Sequence, residues 1–253
     1  MGILDVRNCT KKFGGLVAVK DLNMSLNEGD LYGLIGPNGA GKTTIFNLIT
    51  GVYKPDEGSI ELEGKAIHRQ RPSGIAALGI SRTFQNIRLF QSMTVLENVK
   101  LARHMRKRQQ LLDAILRTRR LHEEEDEIER DALELLKIFH LDQRAEEPAA
   151  SLPYGSQRRL EIARALATKP KVLLLDEPAA GMNPQEATGL MSTIRWIRDK
   201  FHITVLLVEH NMNVVMGVCE RIQVIDYGET IALGSPREIQ DDPKVIEAYL
   251  GGA

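Results

Sequence analysis

The sequence predicts an α/β protein built on a mostly parallel sheet, and three observations carry that expectation. Two runs, Val172-Leu173-Leu174-Leu175 and Val205-Leu206-Leu207-Val208, are apolar without interruption, the pattern of strands covered on both faces. A third run, Leu31 to Ile35, ends in a glycine-rich loop, after which the spacing predicts a helix over Thr43 to Thr50. Strands that alternate with helical stretches imply crossover connections and hence parallel pairing.

Taken in order, the segment before Lys65 reads as short strands and turns. Leu22, Met24 and Leu26 alternate with polar residues, as do Ile60 and Leu62 with Glu61 and Glu63. Asp56-Glu57-Gly58 supplies a turn between helix and strand. From about Leu96 to Ala167 the pattern is helical throughout. Its middle runs from basic residues over Arg103 to Arg120 into the acids Glu123 to Glu127. Such a stretch reads as solvated helices with offsetting charges, a binding arm being the alternative. Leu111, Leu112, Ile115, Leu116 and Leu121 are expected to supply the inward stripe. Ile222 to Ile225, a turn at Asp226-Tyr227-Gly228, and Thr230 to Leu233 form a closing hairpin.

The bulk numbers exclude several classes. With 253 residues the chain can bury a full core. A net charge of -1 argues against a surface made to neutralise nucleic-acid phosphates. No apolar run approaches the roughly 20 residues of a membrane helix, and Met1 to Lys12 lacks the apolar block of a secretory signal. Cys9 and Cys219 stand far apart, without metal-type spacing, as reduced structural thiols of a cytoplasmic protein. Any membrane association is therefore expected to come through a partner.

Gly36-Pro37-Asn38-Gly39-Ala40-Gly41-Lys42-Thr43 fits G-x-x-x-x-G-K-[ST] in full, and Thr44 follows. Glycines let the backbone curl so that consecutive N–H groups point at phosphate oxygens, and the following helix aims its positive end at the same place. Lys42 reaches the β- and γ-phosphates, and the Thr43 hydroxyl completes the coordination of Mg²⁺. A nucleoside triphosphate is the expected ligand. The strand at Val172 ends in Asp176-Glu177. In an open α/β sheet ligands sit at the carboxyl ends of strands, so Asp176 is a candidate for Mg²⁺ and Glu177 for orienting and deprotonating the attacking water. Alone, that pair reads equally as a helix cap. His210, after the next strand, is a candidate donor to the γ-phosphate or a surface histidine.

With these motifs in place the sequence resembles the ATP-binding-cassette (ABC) ATPases over nearly its whole length. The resemblance implies a P-loop NTPase fold: a RecA-like mostly parallel core, an N-terminal antiparallel β subdomain, and a helical subdomain inserted at about residues 90–165, in one domain spanning 1–253. It makes Gln85, within Thr83-Phe84-Gln85-Asn86, the glutamine that senses Mg²⁺ and faces the membrane partner. His210 matches the switch histidine, and Phe13 the aromatic that stacks on adenine. Leu152-Pro153-Tyr154-Gly155-Ser156-Gln157, followed by Arg158 to Leu166, is similar to the family signature and its helix, which in this family faces the γ-phosphate held by a second subunit. Without the family, it is a loop entering an amphipathic helix with Pro153 near its start.

The chain departs from the commonest signature: Pro153 replaces a serine, Tyr154 a glycine and Ser156 a glutamine. Pro153 offers neither hydroxyl nor N–H, so the composite site using this signature is expected to bind or hydrolyse ATP less well than the other. Asn183 stands where an aspartate is usual, which bears on communication between the two sites.

Within the family, Ser81 to Phe90, Asp176 to Gly181, and Gly234-Ser235-Pro236 to Gly251 look closest to the ATP-binding subunits of branched-chain amino acid importers, the LivG type. That likeness implies a second, different cassette (a homodimer being the alternative), two polytopic membrane subunits, an extracytoplasmic solute-binding protein and a place on the cytoplasmic face of the inner membrane. Ile87, Leu89 and Phe90, exposed in the loop from Gln85 to Met93, would receive a helix of the membrane subunit. Other readings stay open: a motor for another amino acid or amide importer or for lipopolysaccharide export, a cassette acting on DNA or ribosomes, and a regulatory cassette without turnover.

Overall fold

The computed structural model describes residues 2–104 and 119–250. Two sheets organise the chain. The first is antiparallel, in the order β2-β1-β4-β5, from strands β1 (Leu4–Phe13), β2 (Leu16–Leu26), β4 (Glu57–Leu62) and β5 (Lys65–Ala66). The second runs β10-β9-β3-β8-β7-β6, from β3 (Leu31–Ile35), β6 (Ile80–Arg82), β7 (Val172–Asp176), β8 (Thr204–Val208), β9 (Arg221–Asp226) and β10 (Glu229–Gly234). Its five strands from β6 to β9 pair in parallel and β10 closes one edge antiparallel, through the hairpin turn at Tyr227-Gly228.

The expected apolar runs are fully buried strands, and their alternation explains why no polar residue interrupts them. Leu31, Ile35, Leu173, Leu175, Val205 and Leu207 face one core. Tyr32, Leu34, Val172, Leu174, Leu206 and Val208 face the other. Helices α5 (Tyr154–Ala167) and α6 (Pro184–Phe201) cover the first face, and helix α1 (Lys42–Ile49) with the antiparallel sheet covers the second. Both faces of each strand are thus removed from water.

Three departures from the sequence reading follow. The first two strands are long, not short: β1 and β2 form a hairpin whose register shifts at Val6/Cys9, Cys9/Lys11 and Lys11/Lys12. Such bulges break the apolar–polar alternation on which a long strand is recognised. Helix α2 (Pro72–Leu78) and β6 carried no expectation, being too short for a period to register. The stretch after Leu96 is not helical throughout: it includes α3 (Val95–His104) and α4 (Arg119–Ile138), and two 3₁₀ turns at Asp142–Arg144 and Ala149–Ser151 separate α4 from α5. Of the inward stripe expected of Leu111, Leu112, Ile115, Leu116 and Leu121, the first four lie outside the described residues and Leu121 falls in α4. Arg103, first of the basic run, is buried and pairs with Asp131 of α4 at 2.9 Å. No helix among the described residues is long and apolar enough to cross a membrane.

Candidate functional site

Strand register brings the motifs to one edge. Leu34 lies beside Val208, and Val208 beside Asp176. The segments following these residues, Gly36 to Gly41, Glu209-His210 and Glu177, therefore leave the sheet side by side, at the carboxyl ends of β3, β8 and β7.

The loop from Gly36 to Gly41 depends on glycine at its ends. Gly36 has φ +153°, and a Cβ there would lie 2.0 Å from the Ile225 carbonyl oxygen; Gly41, at φ 108° before α1, would meet the Ala18 carbonyl at 2.6 Å. The loop is buttressed from behind, where Gly228 donates to the Ala40 carbonyl at 2.9 Å. Pro37 is half-buried and Asn38 and Gly39 are exposed at the crest. Lys42 opens α1, and its ammonium donates to the Gly36 and Pro37 carbonyls at 2.6 and 2.8 Å. Burial pushes this lysine below its usual range, and the nearby Glu177 and Asp176 carboxylates counteract that in part. Thr43 is exposed and Thr44 half-buried in the first turn of α1. Free N–H groups at a helix start and a lysine beside them are suited to phosphate.

Glu177 is the meeting point. Gln85 Nε2 donates to its Oε2 at 3.0 Å, and His210 Nδ1 lies 3.6 Å from the same oxygen. Two residues far apart in sequence thus converge on one carboxylate. The Glu177 backbone is left-handed, at φ 48°, a conformation that costs a non-glycine residue about 1–2 kcal/mol. Its N–H donates to the Val208 carbonyl at 2.8 Å, and its carbonyl accepts from Ala180 at 3.1 Å. Glu209, buried at the end of β8, accepts the Ala179 N–H at 2.8 Å and fastens the same turn.

Asp176 is fully enclosed and carries a partner that the sequence reading did not assign. Arg82, on β6, donates through Nη2 to Asp176 Oδ2 at 2.7 Å, both side chains being 6% exposed. The other Arg82 nitrogen, Nη1, donates to Asn47 Oδ1 of α1 at 2.7 Å, and the guanidinium lies over the Phe46 and Phe84 rings. Arg82 therefore ties the edge strand to the central carboxylate and to the helix after the phosphate loop. In the sequence it stood only within the stretch Ser81 to Phe90, with no role of its own.

The remaining candidates sit on other elements. Phe13, exposed at the tip of the β1–β2 hairpin, meets Tyr53 edge-on at 5.1 Å between centroids. Pro153 is the N-cap residue of α5 and has no side chain to cap it. Leu152 and Ser156 are buried, Pro153 and Tyr154 exposed, Gly155 and Gln157 half-buried, and Gln157 Nε2 donates to the Leu152 carbonyl at 2.9 Å. Asn183 keeps what an aspartate would supply as a cap: its Oδ1 accepts from Glu186 N–H at 2.9 Å, while Glu186 accepts the Asn183 N–H at 3.1 Å. Of the loop residues expected to be exposed, only Phe90 is; Ile87 and Leu89 are half-buried, and Leu89 packs on the core. Beside them, Val52, Ile75, Phe84, Phe90, Leu101 and Arg164 line a groove of about 380 Å³.

Among the described residues no three His, Cys, Asp or Glu side chains gather as a metal cage. One carboxylate with a threonine hydroxyl, completed by phosphate oxygens and water, is instead the donor set that suits Mg²⁺.

Comparison with known proteins agrees with this arrangement. The ABC transporter family profile matches residues 19–180, and a profile described as branched-chain amino acid ATP-binding cassette transporter matches residues 229–253. The chain is 45% identical over 251 residues to the high-affinity branched-chain amino acid transport ATP-binding protein BraF of Pseudomonas aeruginosa, covering 99% of this chain and 98% of that one. It is 43% identical to the LivG protein of the same description from Escherichia coli K12, with the same coverage. Among solved structures, the ADP conformation of MJ1267, an ATP-binding cassette of an ABC transporter, superposes with a TM-score of 0.85 at 34% identity, covering 99% of both chains. A phosphate loop, the acids at the end of β7 and a family match over more than half of the length converge on one statement: the chain belongs to the ABC transporter family, as one of its ATP-binding cassettes.

Proposed function

We propose that this chain is the ATP-hydrolysing motor subunit of an importer for branched-chain amino acids. The observation that carries the reading is the convergence of Gln85 and His210 on Glu177, beside Lys42 and the phosphate loop. The main-chain N–H groups of Asn38 to Thr44 and the Lys42 ammonium bind the phosphates, Gly36 and Pro37 shape the loop, and Phe13 offers its ring to the adenine. Glu177 takes the proton of the attacking water. Gln85 and His210 orient that carboxylate, and His210 donates to the γ-phosphate. Thr43, Asp176 and Gln85 are the residues that would hold Mg²⁺, directly or through water. Bound there, the ion neutralises charge on the β- and γ-phosphates.

Leu152 to Gln157 face the ATP of a second cassette, so ATP favours the closed pair by the difference in its affinity for closed and open forms. The groove beside Phe90 receives a helix from one of two membrane subunits, at the cytoplasmic face of the inner membrane, with a solute-binding protein on the other side. The solute rests on the 43–45% identity to branched-chain amino acid cassettes and on the matching C-terminal profile.

Glu177→Gln keeps the shape and loses the base. The variant is expected to bind ATP and to lose at least about 10²-fold in turnover. Tagged, and drawn from detergent-solubilised membranes with ATP and Mg²⁺, it should bring down a second cassette and two polytopic proteins. Deleting the chain should abolish uptake of labelled leucine, isoleucine and valine. Unchanged turnover overturns the base, recovery of ribosomes or DNA overturns the motor, and unaffected uptake overturns the solute.

A further inference from the structure

The signature helix carries an ion pair that the functions above do not use. Arg158 and Glu161 are one turn apart on α5, with side chains 0% and 1% exposed and Nη1 to Oε2 at 3.0 Å. Burial pushes Glu161 above the usual carboxylate range, against the main-chain donors and the arginine that favour its charge. A charged pair is costly to remove from water unless its remaining hydrogen-bonding capacity is used. Here most of it is used on a single segment, with Arg158 Nε buried and without a partner. Arg158 donates to the Phe84 carbonyl at 2.6 Å and to the Gln85 carbonyl at 2.7 Å. Glu161 Oε1 accepts the N–H groups of Phe84 at 3.3 Å and of Arg88 at 3.2 Å. These four bonds grip the main chain on both sides of Gln85.

Tyr154, where the commonest signature has a glycine, extends the contact to the start of the helix. Arg158 Nη2 donates to its hydroxyl at 3.2 Å. Its ring covers Gly181, where a Cβ would sit 3.0 Å from Cε1. Gly181 belongs to the turn that follows Glu177. The contacts therefore close a ring: Glu177 to Gln85 through side chains, Gln85 to Arg158 through the main chain, Arg158 to Tyr154, and Tyr154 back to the turn after Glu177.

We propose that Tyr154, Arg158 and Glu161 are positioning residues that seat Gln85 against Glu177, so that the first turn of the signature helix and the Gln85 loop move as one body. The inference deepens the functional reading above and rests on it. The pair is not simply core filling, because apolar residues of equal volume fill a helix–sheet interface at no greater cost and leave the four main-chain groups unheld. In consequence, a shift of the exposed start of α5 displaces Gln85 from the carboxylate without passing through the phosphate loop.

The test uses the full chain and three variants. Replacing one member strands a buried charge and risks unfolding, so the first variant is Arg158→Met with Glu161→Met, which removes both charges together. The second, Tyr154→Phe, keeps the ring and removes only the hydroxyl. The third, Arg158→Lys, keeps the charge without the fork that spans two carbonyls. Expected are a melting temperature near the parent for Tyr154→Phe and a fall in kcat of about threefold, as for one weakened hydrogen bond to a charged group. The double variant is expected to lose about tenfold or more in kcat, with KM for ATP within about twofold, and lysine to restore part of it.

Amide hydrogen exchange supplies the second readout. In the double variant, exchange at Phe84 and Arg88 is expected to rise, while Mg²⁺ and ATP still protect residues 36–44 as in the parent. Unchanged kcat and unchanged exchange at Phe84 and Arg88 overturn the positioning role. A drop in melting temperature with kcat preserved does the same, since that is what packing alone would give. Failure of ATP to protect residues 36–44 in the parent chain overturns the site assignment itself.

Discussion

Replacing Arg82 with methionine isolates the ion pair behind the site. Arg82 and Asp176 are each 6% exposed and 2.7 Å apart, so the water that would screen a surface pair is absent. Removing one member of a buried pair leaves the other charged without compensation, at about 3–5 kcal/mol. The Asn47 bond and the two aromatic faces over Arg82 are lost with it, but they belong to the same truncation and are not added again. Part of the cost is already offset in the parent, because Arg82 Nε is buried without a partner and its removal relieves a penalty of about 1–3 kcal/mol. The net expectation is a loss of about 2 kcal/mol, within a span of about 0–4, which in a chain of this length moves the melting temperature by roughly 4–8 °C. Asp176→Asn in the same background removes the stranded charge, so the double variant should recover about half of that loss or more. Urea unfolding of the parent, both single variants and the double one, without nucleotide, gives the coupling directly. A coupling energy below about 0.5 kcal/mol would refute the claim that Asp176 depends on Arg82.

Two further predictions concern the neighbouring elements. Pro153→Ser gives α5 a capping hydroxyl worth about 1 kcal/mol and gives back about 0.4–1 kcal/mol of unfolded-state stiffness. Stability should stay nearly level while turnover of the assembled pair rises; unchanged turnover refutes the weak-signature reading. Burial, with the Glu177 charge adding to it, holds Glu209 above its ordinary value of 4.5, against the Ala179 N–H it accepts. Below 4.5 folded and unfolded chains both carry the proton; as pH rises the unfolded chain releases it first, so the native state loses stability up to the folded value. Glu209→Gln, which keeps the acceptor for Ala179, should therefore gain urea resistance over the parent as the pH is raised above 4.5. An advantage that is constant over that range refutes it.

What the sequence made legible follows from periodicity and from fixed chemistry. Val172 to Leu175 and Val205 to Val208 read as strands because each is buried on both faces, which suppresses every alternative pattern. The phosphate loop was legible because its chemistry tolerates few residue types at few spacings. Arg82, Arg158 and Glu161 were not. Charged residues are almost never fully buried unless paired, and Arg82 finds Asp176 across 94 positions, a distance no local pattern spans. Arg158 and Glu161 do lie at helical spacing, but an i,i+3 ion pair reads as a solvent-facing one until Leu160 and Ile162 beside it are known to be buried too. The β1–β2 hairpin was read as short pieces because its bulges reset the alternation of side chains.

The same three charged residues explain how a site assembled from separate strand ends can respond as a unit. Glu177, Gln85 and His210 follow different strands, so each sits on a separate loop. Each loop is fastened to something else. Glu209 holds the turn after Glu177 through Ala179. Arg82, two residues before Phe84, is anchored on Asp176 and Asn47. Arg158 and Glu161 grip the segment from Phe84 to Arg88 from the signature helix, and Asn98 binds Phe90 N–H and C=O at 3.0 Å each. The Gln85 segment is therefore held from α5 and α3 on one side and from the sheet on the other, with the groove beside Phe90 between them. On the proposed reading, a body packed into that groove would act on Gln85 through α3 and α5 as well as through Phe84 and Phe90, all of which line it. Coupling by rigid bodies of this kind is two-state in character, since packed interfaces rearrange between discrete arrangements and do not deform continuously.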